Sequence, residues 1–202
     1  MSKNDCELSS LIIRSILDIE GAIEHTHNTI DKRLAREFNT IFNRTLTVDE
    51  WFVSEKDDFW ESWFCPKNWV IERNRKPDAP AYFELDTLGD DTYETWLASF
   101  LAGTPETGIP CLKWISGAAR TPFRKAMTES QDEIFQIRAA GFIVDGDDFY
   151  YPISINADVL ATGFEKDDLA LATAEFEKAA TALGHAVEAF DLLHTKIVEA
   201  VG

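Results

Sequence analysis

The feature that most constrains the fold is a heptad pattern near the C-terminus. Five large apolar residues stand seven positions apart, and we call them the C-terminal seam: Leu169, Phe176, Leu183, Phe190 and Ile197. Others follow four positions after the last four of them: Ala180, Val187, His194 and Val201. This spacing places all of these side chains on one face of a helix, as in a coiled coil. The pattern therefore predicts a long helix from about Glu165 to Val201 whose apolar face must be buried.

A second amphipathic pattern runs from about Glu7 to Arg44. Its apolar residues recur mostly at steps of three and four positions, which is typical of a helix: Leu8, Ile12, Ile16, Ile19, Ile23, Ile30, Leu34, Phe38 and Ile41. The row is interrupted at His27, and the steps that follow depart from a strict heptad. We predict a second long helix, packed against the C-terminal one within the chain or against copies in a homodimer.

The middle of the chain has a different periodicity. Short apolar and alternating runs predict strands, and amphipathic runs that end at glycine predict short helices. The strands are 81–88 and 109–116, with a less regular one from Trp51, and the helices are 91–103 and 130–142. Ser130 and Glu133 have the spacing of a capping box. Asp145–Gly146 predicts the turn of a β-hairpin.

These elements predict an α+β fold. A small mixed sheet with short helices would occupy residues 46–163, flanked by the long amphipathic helices of residues 1–45 and 164–202. The long helices would pack as a coiled-coil-like bundle. We expect the three segments to form one structural unit.

The charge of the chain limits its partners. The sequence holds 36 acidic and 19 basic residues, a net charge of −17, and residues 46–163 alone hold 21 acidic residues against ten basic ones. This charge repels nucleic-acid phosphates and anionic membrane surfaces and attracts basic proteins. We therefore expect a basic protein partner and no direct binding of nucleic acid or membrane. From the long amphipathic helices we also expect a homodimer.

The sequence also predicts a cytoplasmic location. It contains no apolar run of about 20 residues, the length that a membrane-spanning helix needs. The N-terminus lacks the basic and then apolar regions of a secretory signal. Cys6, Cys65 and Cys111 are odd in number and widely spaced, so they predict neither a disulfide framework nor a metal knuckle.

Common catalytic motifs are missing from the sequence. It has no GxGxxG or GxxxxGK loop for phosphates, no GxSxG around a nucleophilic serine and no HExxH metal motif. We expect no cofactor, no metal site and no catalytic residues, and favour a non-enzymatic function.

One enzymatic alternative has partial support. Asp86 ends a predicted strand and Lys113 lies on the next, a spacing that resembles the PD-(D/E)xK nucleases. Cys111 stands where that pattern has a second carboxylate, so a hard oxygen ligand for a metal ion is missing. The alternative is a metal-dependent or degenerate nuclease, with Asp86, Asp90, Asp91 and Lys113 nearest its site.

Paired aspartates suggest a binding surface. The predicted partner-binding acidic face consists of Asp57, Asp58, Asp90, Asp91, Asp147 and Asp148. Paired carboxylates can imitate nucleic-acid phosphates, and charge attraction speeds the encounter with a basic protein. The leading hypothesis is a module that binds a basic nucleic-acid-handling protein, as a nucleic-acid-mimicking inhibitor of phage or mobile-element type. The alternatives are an acidic surface that serves solubility alone and a structural dimerisation subunit.

Four of the six tryptophans lie in one short segment: Trp51, Trp60, Trp63 and Trp69. A stacking platform for single-stranded nucleic acid would need a basic groove, and this segment is acidic. We predict that these side chains lie mainly in the core, with one or two as interface anchors.

Overall fold

The chain folds into helices and a six-stranded sheet, which confirms the predicted α+β class. The computed structural model describes residues 3–46, 50–54, 63–73, 76–90 and 92–201. Within these ranges the helices are α1 (Lys3–His25), α2 (Lys32–Thr45), α3 (Trp96–Ala102), α4 (Arg120–Glu129), α5 (Gln131–Ala139), α6 (Ala157–Lys166) and α7 (Ala174–Val201). A π-helical turn, Thr26–Asp31, joins α1 to α2.

The sheet is antiparallel at every described pairing, whereas the sequence predicts a mixed sheet. Its strands are β1 (Trp51–Val53), β2 (Trp63–Pro66), β5 (Ala81–Leu88), β6 (Ile109–Ser116), β7 (Ile143–Asp145) and β8 (Asp148–Pro152), in the order β1-β2-β5-β6-β8-β7. A separate hairpin is formed by β3 (Ile71–Arg73) and β4 (Lys76–Asp78).

The core lies between one face of the sheet and the helices. Phe190 of α7 is fully buried at its centre. The centroid of its ring lies 5.0 Å from that of Phe83, 5.4 Å from that of Trp114 and 5.9 Å from that of Phe149. These three rings come from three different strands, so a single side chain of α7 packs against three strands of the sheet.

The C-terminal seam is buried inside the single chain. All five of its residues belong to the hydrophobic core, and α7 packs mainly on α2, α4 and α5. The seam is therefore covered by the chain's own helices and sheet, and a second copy has no access to it. Our alternative in which these five residues bury themselves in a homodimer does not fit this fold.

The long C-terminal helix begins at Ala174 rather than near Glu165. Helix α6 ends at Lys166, and the next residue, Asp167, caps it with a left-handed backbone of φ 52°. A turn then follows, in which Asp168 accepts a hydrogen bond from the Ala170 N–H at 3.1 Å. Aspartate is one of the few residues that adopt this conformation at low cost. Leu169 thus reaches the core from the turn and not from the helix.

The N-terminal segment packs on α7 only in its second half. Phe38 of α2 lies edge-on to Phe176 of α7, with ring centroids 5.3 Å apart. In contrast, no described side chain of α1 is buried. The predicted bundle of long helices is therefore present for α2 and α7 and does not include α1.

The predicted irregularity at His27 coincides with the π-helical turn. A π turn inserts one extra residue and rotates the side chains that follow it. Here it places the buried carboxylate of Asp31 against α3, where it accepts hydrogen bonds from the N–H groups of Leu97 (2.9 Å) and Trp96 (3.3 Å). The insertion thus supplies the N-terminal cap of another helix.

The other predicted elements are mostly present with shifted ends. Strands 81–88 and 109–116 are confirmed at both ends, and the predicted hairpin is formed by β7 and β8. Helix α3 starts later than predicted, because the Thr95 hydroxyl caps it by accepting the Ala98 N–H at 3.1 Å. The predictions did not include α4 and α6.

The predicted capping box at Ser130 is wrong. The Ser130 hydroxyl is buried without a hydrogen-bond partner among the described residues. Glu133 instead accepts a hydrogen bond from Lys196 of α7 at 2.9 Å, which lowers the pKa of Glu133. The pairing with α7 therefore replaces the local cap.

A buried histidine makes the stability of this core depend on pH. His194 is 8% exposed, its ring lies 4.6 Å from that of Trp69, and burial lowers its pKa, although Asp191 opposes the shift. The unfolded chain, with an ordinary histidine pKa near 6.5, binds more protons than the folded one. The contribution of neutral His194 to the free energy of unfolding is therefore complete above the pKa of the unfolded chain. It is lost as the pH falls through the lower pKa of His194 in the folded chain.

We expect the free energy of unfolding to decrease between about pH 7.5 and about pH 5.5, above the range of most carboxylates. Urea titrations across this range measure the slope. His194→Gln should flatten it, whereas the control His185→Gln, at an exposed position of the same helix, should leave it unchanged. An unchanged slope in His194→Gln would assign the pH dependence to other groups.

Candidate functional site

The face of the sheet that points away from α7 has an acidic character. Phe83, Trp114 and Phe149 point towards Phe190, and successive side chains of a strand alternate between faces. Their neighbours therefore form the opposite face, which we call the outer face. On β5 to β8 it includes Tyr82, Glu84, Asp86, Cys111, Lys113, Ile115, Ile143, Asp145, Asp148 and Tyr150. These residues comprise four carboxylates and one ammonium group.

Lys113 lies between two of the carboxylates. Its Nζ is 3.3 Å from Oδ2 of Asp86 on β5 and 3.7 Å from Oδ1 of Asp148 on β8. Burial acts to lower the pKa of Lys113, but the charges of Asp86 and Asp148 outweigh it and the pKa is raised. Lys113 therefore stays charged and acts as a structural partner of the two aspartates. A lysine that accepts a proton in catalysis would need a lowered pKa.

The carboxylates around this lysine are accessible from outside. The side chains of Asp86 and Asp148 are 37% and 50% exposed, and Asp145 is exposed at the end of β7. Asp86 and Asp148 share the single charge of Lys113, and Asp145 adds a further exposed carboxylate. The outer face is thus a negative surface that a cationic partner can reach.

The negative charges of this face also raise the pKa values of two tyrosines that lie on it. Burial raises the pKa of Tyr82, and the charges of Glu84 and Asp86 raise it further. Burial also raises the pKa of Tyr150, with a further contribution from Asp145. Both hydroxyls therefore stay protonated at neutral pH and can donate hydrogen bonds.

An aromatic row adjoins the acidic residues on the outer face. The ring centroids of Phe52 and Trp63 are 5.1 Å apart, and those of Trp63 and Tyr82 are 5.5 Å apart, so the row crosses β1, β2 and β5. Trp63 is half-buried, whereas Trp51 and Trp69 lie in the core. Trp60 lies outside the described residues. Aromatic rings beside charges are a common composition of protein-binding surfaces.

The six predicted partner-binding aspartates do not form one surface in the described part of the chain. Asp57, Asp58 and Asp91 lie outside the described residues. Asp147 lies in the hairpin turn, where Arg124 (3.6 Å) and Arg120 (3.8 Å) offset its charge. The sheet register places Asp90 beyond the end of β5 opposite to Asp148, at least about 17 Å away along the strands.

Of the three predicted aspartates that the structure describes, Asp148 alone lies on the outer face. Glu84 and Asp145 were not among the predicted binding residues, and Asp86 and Lys113 were predicted only as part of a nuclease site. The signal that could have found them is the alternation of β5 and β6. If the two predicted strands pair as antiparallel neighbours, this alternation places Glu84, Asp86 and Lys113 on one face of the sheet.

The described residues show one contact that the nuclease alternative requires, but they show no metal site. The structure brings Asp86 and Lys113 together, as that alternative requires. Cys111, directly opposite Asp86, is buried, and burial raises the pKa of its thiol to about 12. Among the described residues, no group of three or more His, Cys, Asp or Glu side chains is placed to hold a metal ion.

The three thiols should differ sharply in reactivity. Burial raises the pKa of both Cys65 and Cys111 to about 12, whereas Cys6 is exposed on α1. Since the thiolate is the reactive form, we expect one thiol to react with Ellman's reagent in the native protein and three after unfolding. Rapid reaction of more than one native thiol would contradict this burial.

A cleft of about 800 Å³ lies beside the first half of α7 and reaches Ile143 at the edge of the outer face. Its two lining carboxylates already have partners, because Glu175 pairs with Lys178 at 2.6 Å and Glu177 pairs with Arg44. Burial raises the pKa of Tyr151, which also lines the cleft. The charges of the cleft are thus mutually compensated, in contrast to those of the outer face.

Comparisons with known proteins add no assignment. No protein family, curated protein or solved structure matches this chain. None of the helices in the described ranges has the length and apolar character required to span a bilayer.

Proposed function

We propose that this chain is a non-enzymatic, cytoplasmic protein-binding module whose outer face engages a basic, nucleic-acid-handling protein. The observation that carries the proposal is the group of four carboxylates on three strands of one sheet, Glu84, Asp86, Asp145 and Asp148, beside Lys113 of the strand β6. A rigid sheet holds these charges in fixed positions. Fixed charges attract a complementary surface without the entropic cost of ordering a loop.

The spacing of the carboxylates supports mimicry of nucleic acid. Glu84 and Asp86 are two residues apart on β5, which corresponds to about 7 Å along the strand. A single strand of DNA carries one phosphate per about 3.4 Å of helix axis. This one pair thus carries two negative charges on one face, at a spacing of the same order as that of a phosphate backbone. A protein that binds a phosphate backbone through lysines and arginines is the partner that this surface fits.

The aromatic row would add affinity that charge alone does not supply. Rim charges mainly raise the rate of association, whereas buried aromatic anchors hold a complex together. Trp63 and Tyr82 lie directly beside Glu84. We therefore expect binding that is fast, weakened by salt and dependent on Trp63.

The test is affinity capture with three baits. The first is the native chain, and the second carries Glu84→Gln, Asp145→Asn and Asp148→Asn. Asp86 is kept as the partner of Lys113, so that no buried ammonium group is left unpaired. The third is a matched control that removes three exposed carboxylates from α6 and α7: Glu165→Gln, Glu188→Gln and Glu199→Gln. Thermal melting confirms that each bait is folded.

We expect the native and control baits to capture the same basic protein in about 50 mM salt and to lose it as salt rises. The outer-face bait should capture at least about tenfold less. Equal capture by all three folded baits would refute the outer face as the binding surface. Equal loss with both substituted baits would mean that overall charge, and not this face, attracts the protein.

The nuclease alternative has one supporting observation, the contact of Asp86 with Lys113. It makes a separate claim that is easily checked. If this pair belongs to a metal site, Mn²⁺ should raise the melting temperature of the native chain, and Asp86→Asn should abolish that shift. The binding-module proposal expects no shift in either protein.

A further inference from the structure

The aromatic row and the carboxylates of the outer face meet at three residues, Trp63, Tyr82 and Glu84, which we call the ring–carboxylate site. Trp63 stands directly opposite Glu84 in the register of β2 and β5, so their Cβ atoms are about 5 Å apart. Tyr82 lies two residues before Glu84 on the same face of β5, about 7 Å along the strand. Its ring centroid is 5.5 Å from that of Trp63. Two rings and one carboxylate therefore border the same small area of the sheet.

The ring–carboxylate site has a negative electrostatic potential from two sources. Burial raises the pKa of the Tyr82 hydroxyl, and the charge of Glu84 raises it further, as expected for a carboxylate close to the ring. The face of an aromatic ring is itself negative, because of its quadrupole. A group bound here meets the carboxylate and the ring faces together, and this combination selects a cation.

Partial burial decides which cation fits this site. Trp63, Tyr82 and Glu84 are all half-buried, so a cation that binds here loses part of its hydration. The ammonium group of lysine is compact and strongly hydrated, whereas the guanidinium group of arginine is planar, weakly hydrated and able to stack on a ring. Its N–H groups lie in its own plane, so they can donate to a neighbouring carboxylate while the plane covers the ring. Arginine is therefore the cation whose geometry matches the site.

We infer that the ring–carboxylate site binds an arginine side chain of the basic partner and prefers arginine to lysine. The inference rests on the proposed function and narrows the partner to a protein that presents an arginine on its basic surface. In the complex the guanidinium group stacks on Trp63, because tryptophan is the ring that binds cations best, and donates hydrogen bonds to Glu84. The aspartates of the outer face attract any basic surface, whereas this site distinguishes between the two cations.

The test compares oligoarginine with oligolysine, as peptides of equal length and equal charge, by calorimetric titration at low salt. We expect the native chain to bind oligoarginine at least about tenfold more tightly than oligolysine. Charge attraction alone would give the two peptides similar affinities. This comparison uses the native chain and therefore does not depend on the folding of any variant.

Substitutions locate the preference. Trp63→Leu should reduce the ratio of the two affinities to about one, because it removes a ring and no charge. Trp63→Phe keeps a ring and should keep most of the preference, whereas Glu84→Gln should weaken oligoarginine binding more than oligolysine binding. The matched control is Trp96→Leu, which removes a half-buried tryptophan of α3 that packs on Phe100 with ring centroids 5.7 Å apart. It should leave the ratio unchanged, and thermal melting confirms that each variant is folded.

The outcomes separate this inference from the proposed function. Equal binding of both peptides by the native chain, lost in the bait with Glu84→Gln, Asp145→Asn and Asp148→Asn, would overturn the arginine preference and support the acidic binding surface. Equal binding that this bait retains would contradict the proposed function as well. An arginine preference that survives Trp63→Leu, or no binding of either peptide to the native chain, would overturn the ring–carboxylate site.

Discussion

Phe190→Ala is expected to lower the free energy of unfolding by about 3–5 kcal/mol, the range for removing a buried aromatic ring. Phe190 is fully buried and contacts rings from β5, β6 and β8, together with Phe142 at 5.2 Å. The cavity cannot close without moving several strands, so little relaxation will recover the loss. Urea titration followed by tryptophan fluorescence measures the change.

The control for this substitution lies two residues further along the same helix. Leu192 is 51% exposed, and Leu192→Ala should change the free energy of unfolding by less than about 1 kcal/mol. A small effect for Phe190→Ala, or equal effects for both substitutions, would contradict the position of α7 at the centre of the core.

Asp31→Ala is expected to lower the free energy of unfolding by about 2–4 kcal/mol. The substitution removes the acceptor for two N–H groups at the start of α3, and each half-buried donor left unsatisfied costs about 1–3 kcal/mol. Asp31→Asn keeps one acceptor oxygen and should lose less than half as much. Asp18→Ala, an exposed aspartate of α1, should have almost no effect. A loss for Asp31→Ala no larger than that of Asp18→Ala would mean that Asp31 does not cap α3.

Residue patterns within single elements could be predicted from the sequence. Strands 81–88 and 109–116 have alternating or continuous apolar runs bounded by turn residues, and both were located to the residue. The C-terminal seam was recognised because its residues keep one register over five heptads. Its first residue, Leu169, shows the limit: a turn can deliver a side chain to the same core as the helix that follows it.

The partner of an apolar face could not be predicted. Ile16 of α1 and Phe38 of α2 belong to one periodic pattern, interrupted at His27, yet the first is exposed and the second is buried. Periodicity shows that a face needs cover and does not say what supplies it. The π-helical turn that separates the two helices left only a skipped position at His27 in the sequence.

The candidate site was missed for a related reason. The predicted acidic face consisted of aspartates that are adjacent in the chain, such as Asp147 and Asp148. In a hairpin these two diverge: Asp147 meets arginines of α4, whereas Asp148 joins the outer face. The residues that do meet, Asp86, Lys113 and Asp148, come from three strands. Their proximity depends on the register of the sheet, which local patterns do not determine.

The central claim, that the outer face is the binding surface, is tested most directly by carboxylate footprinting. A carbodiimide and an amine label exposed carboxylates of the chain, alone and in complex with the captured basic protein, and mass spectrometry locates the labels. We expect labelling to fall at Glu84, Asp86, Asp145 and Asp148 in the complex and to stay constant at Glu165, Glu188 and Glu199. Unchanged labelling of the outer face, with protection elsewhere, would contradict the claim.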